Sequence, residues 1–82
     1  MKIDEIKAGE IFCIEGSKTY PKLKLDIGYV DMRDEIRSVH EHEVIFSYDL
    51  MTAKEIEIEF KKYGMTMDDV KNLKRELSVR FN

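Results

Sequence analysis

Scarcity limits what this chain can be. One cysteine, Cys13, cannot close an internal disulfide, and it lies inside the apolar run "IFCI" (Ile11–Ile14). A lone thiol there reads as a small buried hydrophobe, not a nucleophile, and fits a reducing compartment. Only four glycines occur and none cluster, so there is no phosphate-cradling loop. Ser17, Ser38, Ser47 and Ser78 lack the strand–turn–helix setting of a nucleophile elbow. No pair of carboxylates is marked out by an apolar pocket motif. No run of about 18 apolar residues is present, which excludes a spanning helix. The acids within "MKIDEIKAGEIF" (Met1–Phe12) are unlike a signal peptide. The expectation is a cytoplasmic protein that is not an enzyme and carries no cofactor and no metal.

What is present describes a small globular domain. Hydrophobic residues make up 43% and charged residues 38%, a balance that is neither disordered nor membrane-embedded. Residues 1–82 are expected to form a single domain with a thin core, of a size often assisted by homodimerisation. The net charge is −3. Residues 1–51 hold seven basic against eleven acidic side chains, giving −4, and residues 52–82 hold seven against six, giving +1. This acidic balance works against non-specific nucleic-acid binding.

Along the chain, strand patterns precede helix patterns. "EIFCIE" (Glu10–Glu15) is apolar on both faces, as in a central strand. "YPKLKL" (Tyr20–Leu25) alternates cleanly, and its proline, Pro21, favours a strand start or an edge. "GYVDM" (Gly28–Met32) resumes the alternation; "EVIFSY" (Glu43–Tyr48) is a further strand candidate and "EIRSVH" (Glu35–His40) a weaker one. "TAKE" (Thr52–Glu55) is a capping-box pattern, followed at helical spacing by Ala53, Ile56, Phe60 and Tyr63, with Gly64 as the closing residue. "EIEIEF" (Glu55–Phe60) also alternates like a strand, but its glutamates and the Glu57–Lys61 spacing favour a helix. Thr66 then caps a second helix with Asp68 and Asp69 in its first turn and a stripe of Val70, Leu73, Leu77 and Phe81. The order predicts an α+β fold: a small antiparallel β-sheet or partial SH3-like barrel over residues ~10–48, then a C-terminal helical hairpin over residues ~52–80.

The candidate binding residues are in the hairpin. If Leu23, Leu25, Val30 and Met32 point inward, then Tyr20, Lys22, Lys24, Tyr29, Asp31 and Arg33 point outward, provided the register is even. A register opposing Lys22 to Asp31 also sets each tyrosine near a cation. Such a face suits a partner protein or the stacking and phosphate contacts of a nucleotide; the ordinary alternative is a solvated sheet face. An odd loop around Asp26–Gly28 would instead align Tyr29 with Leu25 and scatter the set. "HEHE" (His40–Glu43) offers two imidazoles at i,i+2, too few for a metal site. Glu55–Leu77 has the outline of a DNA-reading helix-turn-helix, but Phe60 occupies the position that wants a small residue, and Asp68 and Asp69 would meet phosphates badly. A structural helical hairpin is the better reading, with Lys71, Lys74 and Arg75 as the cations DNA would need.

The stretch "AGEIFCIEGSKTYPKLKLDIGYVDMRDEI" (Ala8–Ile36) resembles small uncharacterised early and accessory proteins of bacteriophages and prophages. The likeness lies in Gly9 ahead of a Phe-containing strand, then "YPKLKL", then "GYVDMRD", about a third of the chain, and carries over no site residues. It implies a protein of the host-cell cytoplasm that binds and disables a host enzyme or defence component, or sequesters a signalling nucleotide. The leading expectation is a non-enzymatic binding protein acting on a host protein through its surface, with acids such as Asp26, Asp31, Asp34 and Glu35 available to mimic nucleic acid. The alternative is a binder of a nucleotide-like anion, and the next a helix-turn-helix regulator on DNA.

Overall fold

Four short runs of alternating residues pair into one antiparallel sheet. The structure, a computed structural model, describes residues 1–33 and 47–81. Strands β1 (Ile11–Ile14), β2 (Lys22–Lys24), β3 (Tyr29–Asp31) and β4 (Tyr48–Leu50) lie in the order β3-β2-β1-β4. All three pairings are antiparallel. β1 is interior, as its two-sided apolar pattern predicts: Ile11 and Cys13 face one core and Phe12 the other. Among the described residues β3 and β4 form opposite edges, so the sheet is open and the SH3-like barrel does not close. "EIRSVH" and most of "EVIFSY" lie outside the described residues; β4 begins at Tyr48, the last residue of the latter.

The β2–β3 turn decides the parity left open by the sequence. The Leu25 amide donates to the Gly28 carbonyl at 3.0 Å, closing the turn around Asp26 and Ile27. Gly28 takes φ +74°, where a side chain would be strained. The resulting register is even: Lys22 opposes Asp31, Leu23 opposes Val30 and Lys24 opposes Tyr29.

Both helices start with reciprocal caps. At α1 (Ala53–Lys61), the Glu55 amide donates to Thr52 Oγ1 and the Thr52 amide to Glu55 Oε1, at 3.2 and 2.9 Å. At α2 (Met67–Phe81), Thr66 and Asp69 exchange the equivalent bonds. After α1 the Met65 amide reaches back to the Phe60 carbonyl and the Gly64 amide to the Lys61 carbonyl. This is a Schellman closure, and Gly64 at φ +72° supplies its left-handed residue. Among the described residues the ion pair at the end of α1 joins Glu59 to the capping residue Lys62, at 3.2 Å, rather than the expected Glu57–Lys61.

Two apolar layers flank the sheet. On the helix side, Ile11, Cys13, Leu23, Leu25, Val30 and Met32 meet Phe60, Val70 and Leu77, with Ile56, Leu73 and Phe81 at the margin. The stripe expected on α2 is thus the face that packs. On the other side Phe12, Tyr29 and Tyr48 pack with Ile6 and, at the margin, Ile3 and Ile14. A 3-10 turn, Ile3–Glu5, leads into Ile6 on this side. The Met1 amino group donates to the Tyr48 carbonyl at 2.7 Å and the Tyr48 amide to the Met1 carbonyl at 2.8 Å, tying the segment to β4.

Candidate functional site

The even register puts Lys22, Lys24, Tyr29 and Asp31 on one face, as expected, but that face is not the open surface the alternation predicts. Tyr29 is 6% exposed and packs edge-to-face on Phe12, ring centroids 5.4 Å apart. Phe12 in turn meets Tyr48 at 5.1 Å and 89°. Lys22 is 7% exposed. Its ammonium donates to Asp31 Oδ1 at 2.7 Å and to the Tyr20 carbonyl at 3.3 Å, and lies 5.8 Å from the Tyr29 ring centroid. These contacts compensate a buried charge. Lys24, half-buried, donates to the Leu25 carbonyl at 2.7 Å. Of the six hairpin residues, Tyr29 and Lys22 are therefore corrected from surface to interior: Tyr29 packs with Phe12 and Tyr48, and Lys22 is held by Asp31, the Tyr20 carbonyl and the Tyr29 ring.

The two outer members of the set form the exposed site. Tyr20 has φ +52° immediately before Pro21, a conformation rare for a side-chain-bearing residue. It turns off the strand and is 66% exposed. The Arg33 guanidinium lies 5.7 Å from the Tyr20 centroid and 3.4 Å from that of Tyr63. Each tyrosine of the hairpin thus has a cation, as the register argument expects. Tyr63, placed by sequence spacing on the apolar stripe of α1, is instead 47% exposed and is the site residue that the pattern missed. Its one local signal is position: it comes directly before Gly64, where the stripe runs off the helix end.

Arg33 lies between two clefts. One, of about 140 Å³, is lined by Tyr20, Pro21, Lys22, Asp31 and Arg33. The other, of about 260 Å³, is lined by Met32, Arg33, Tyr63, Met65 and Leu73. A guanidinium stacked on aromatic faces keeps its N–H edge directed outward, and that edge matches a planar carboxylate or phosphate.

Other candidates are less suited to binding. Cys13 is buried, its Sγ 3.8 Å from the Asp49 carbonyl, and burial pushes the thiol pKa up, away from the reactive thiolate. Lys18, itself at φ +59°, pairs with Glu55 at 2.9 Å. The Thr52 amide and then Lys18 hold the Glu55 carboxyl below its usual range, and the bond to Glu55 raises Lys18. The helical hairpin places Asp68 and Asp69 in the first turn of α2, with Asp69 engaged in the cap. His40, His42, Asp34 and Glu35 lie outside the described residues. Comparison with family models, curated proteins and solved structures found no match.

Proposed function

We propose that the chain is a non-enzymatic binding protein that acts through its surface on another protein. The observation that carries this reading is the Tyr20–Arg33–Tyr63 cluster: two well-exposed tyrosines holding an arginine between clefts. Tyrosine and arginine are the residues that most often anchor protein interfaces, because both present large rigid area with polar edges. The phage resemblance supplies the class of partner: a host enzyme or defence component met in the host cytoplasm. The hairpin cleft, at about 140 Å³, is well below the roughly 300 Å³ at which small-molecule sites begin, so a protein partner fits better than a nucleotide.

The test is affinity capture from a bacterial host lysate by the tagged chain and by its Tyr20→Ala/Tyr63→Ala variant. The wild-type chain should retain a stoichiometric partner that the variant loses. Failure of the wild-type chain to retain any partner overturns the reading. A thermal-shift screen against nucleotides and cyclic dinucleotides checks the alternative, since a bound ligand must raise the melting temperature; no rise is expected.

A further inference from the structure

We infer that the Arg33 groove receives an acidic segment of the partner in which a carboxylate side chain stands next to a large apolar one. The inference deepens the protein-binding reading above and rests on it. Three observations combine.

First, among the described residues the Arg33 guanidinium is engaged by aromatic rings, Tyr63 closely and Tyr20 at longer range. The ring centroids lie 3.4 and 5.7 Å from the guanidinium, and among the described residues no carboxylate pairs with it. The neighbouring acid, Asp31, is already bonded to Lys22. A guanidinium stacked in this way retains N–H donors that a carboxylate can bridge with two parallel bonds. Second, the same arginine forms one wall of the cleft of about 260 Å³ whose other walls are Met32, Tyr63, Met65 and Leu73. Methionine and leucine make this floor apolar, and methionine adapts to side chains of different shape. An occupant that satisfies Arg33 therefore sets its adjacent residue over an apolar pocket. Third, Tyr20 at positive φ is exposed beside Arg33, 5.7 Å from its guanidinium, so a segment crossing the arginine meets aromatic surface from Tyr20 as well as from Tyr63. The chemistry selected is negative charge beside apolar bulk.

The probe is a random short-peptide library displayed on yeast and selected against the full chain. Enriched sequences should carry Asp or Glu directly beside Leu, Ile, Met or Phe. In solution, replacing that Glu by Gln in the selected peptide, or making Arg33→Ala in the chain, should each weaken binding about tenfold or more, the two losses being non-additive. Met65→Glu should abolish binding by placing like charge in the pocket. Arg33 and Met65 are partly exposed, and unchanged melting curves for both variants show that the fold is intact. Enrichment of basic or charge-free sequences, absence of enrichment, or full binding by Arg33→Ala overturns the inference. A lysate partner still captured by Arg33→Ala and Met65→Glu, or a self-association of this chain that both leave unchanged, also overturns it. Capture by those variants leaves the protein-binding reading standing; only a wild-type chain that captures nothing removes both.

Discussion

The two faces of the sheet are built by the same strands on different chemistry. The helix-covered face is aliphatic, with Leu23, Leu25 and Val30 under Phe60, Val70 and Leu77. The opposite face centres on three aromatic rings, Phe12, Tyr29 and Tyr48, beside an ion pair between the buried Lys22 and the half-buried Asp31. Aliphatic packing depends mainly on filled volume. The aromatic face adds orientation, since its ring pairs meet at steep angles. Among the described residues, two capped helices cover the first layer and a short N-terminal turn packs on the second. Exposed aromatic surface lies instead at Tyr20 and Tyr63.

The strongest way to break this comparison is to empty each face in turn. Phe12→Ala should cost about 3–5 kcal/mol and Leu23→Ala about 2–5 kcal/mol, measured by urea denaturation. Domains of this kind have only about 5–15 kcal/mol in total, so both variants should be largely unfolded on warming. A Phe12→Ala loss below about 1 kcal/mol would mean that the aromatic layer is surface rather than core.

The Lys22–Asp31 pair gives the next largest effect. Asp31→Ala leaves the Lys22 ammonium nearly enclosed without its carboxylate, a loss of about 3 kcal/mol. Replacing both residues with apolar ones, Lys22→Met with Asp31→Leu, should recover most of it. A double-mutant cycle reads the coupling; independent, additive losses would show that the pair does not act as one unit.

Legibility from sequence differs between the two faces for the same reason. On the helix side each expectation is local: Thr52 and Thr66 announce the caps, Val70, Leu73 and Leu77 the stripe, and strict alternation the inward leucines. Even the interior position of β1 follows from apolar residues at successive positions. The aromatic face is different, because Tyr29 and Lys22 are equally at home in water or half-covered; the burial of Tyr29 depends on Phe12 and Tyr48 from other strands, and Lys22 is engaged by Asp31 across the hairpin. Tyr20 adopts a backbone that its residue type and the following proline both disfavour. Arg33 and Tyr63 are thirty positions apart and meet only through the packing of α1 on the sheet. No periodicity within either element encodes that contact.

A smaller effect sharpens the comparison from the helix side. Thr52→Ala removes the acceptor for the Glu55 amide and should cost about 1 kcal/mol, read as a lower urea midpoint with unchanged slope. The loss should spread to the aliphatic layer, increasing amide exchange around Phe60 while leaving the Phe12–Tyr48 side protected. Equal loss of protection on both faces would show that the two layers open together.

The smallest effect is electrostatic and concerns the tie from the loop after β1 to the start of α1. Glu55 is held below its ordinary value of 4.5 by the Thr52 amide first and Lys18 second. A carboxyl with a lowered folded-state pKa adds stability that is fully present above pH 4.5 and is lost as pH falls through the lower folded value. Lys18 is shifted the other way, above 10.5, chiefly by its bond to Glu55. Its contribution is fully present below pH 10.5 and is lost as pH rises through the higher folded value. The melting temperature of wild type should therefore exceed that of Lys18→Met by a small, constant margin between pH 4.5 and 10.5, closing towards either extreme. Both groups are solvent-accessible, so added salt should shrink the margin throughout that window. A margin that persists in strong acid or in high salt would mean that Lys18 stabilises the α1 start by packing its stem, not by its charge.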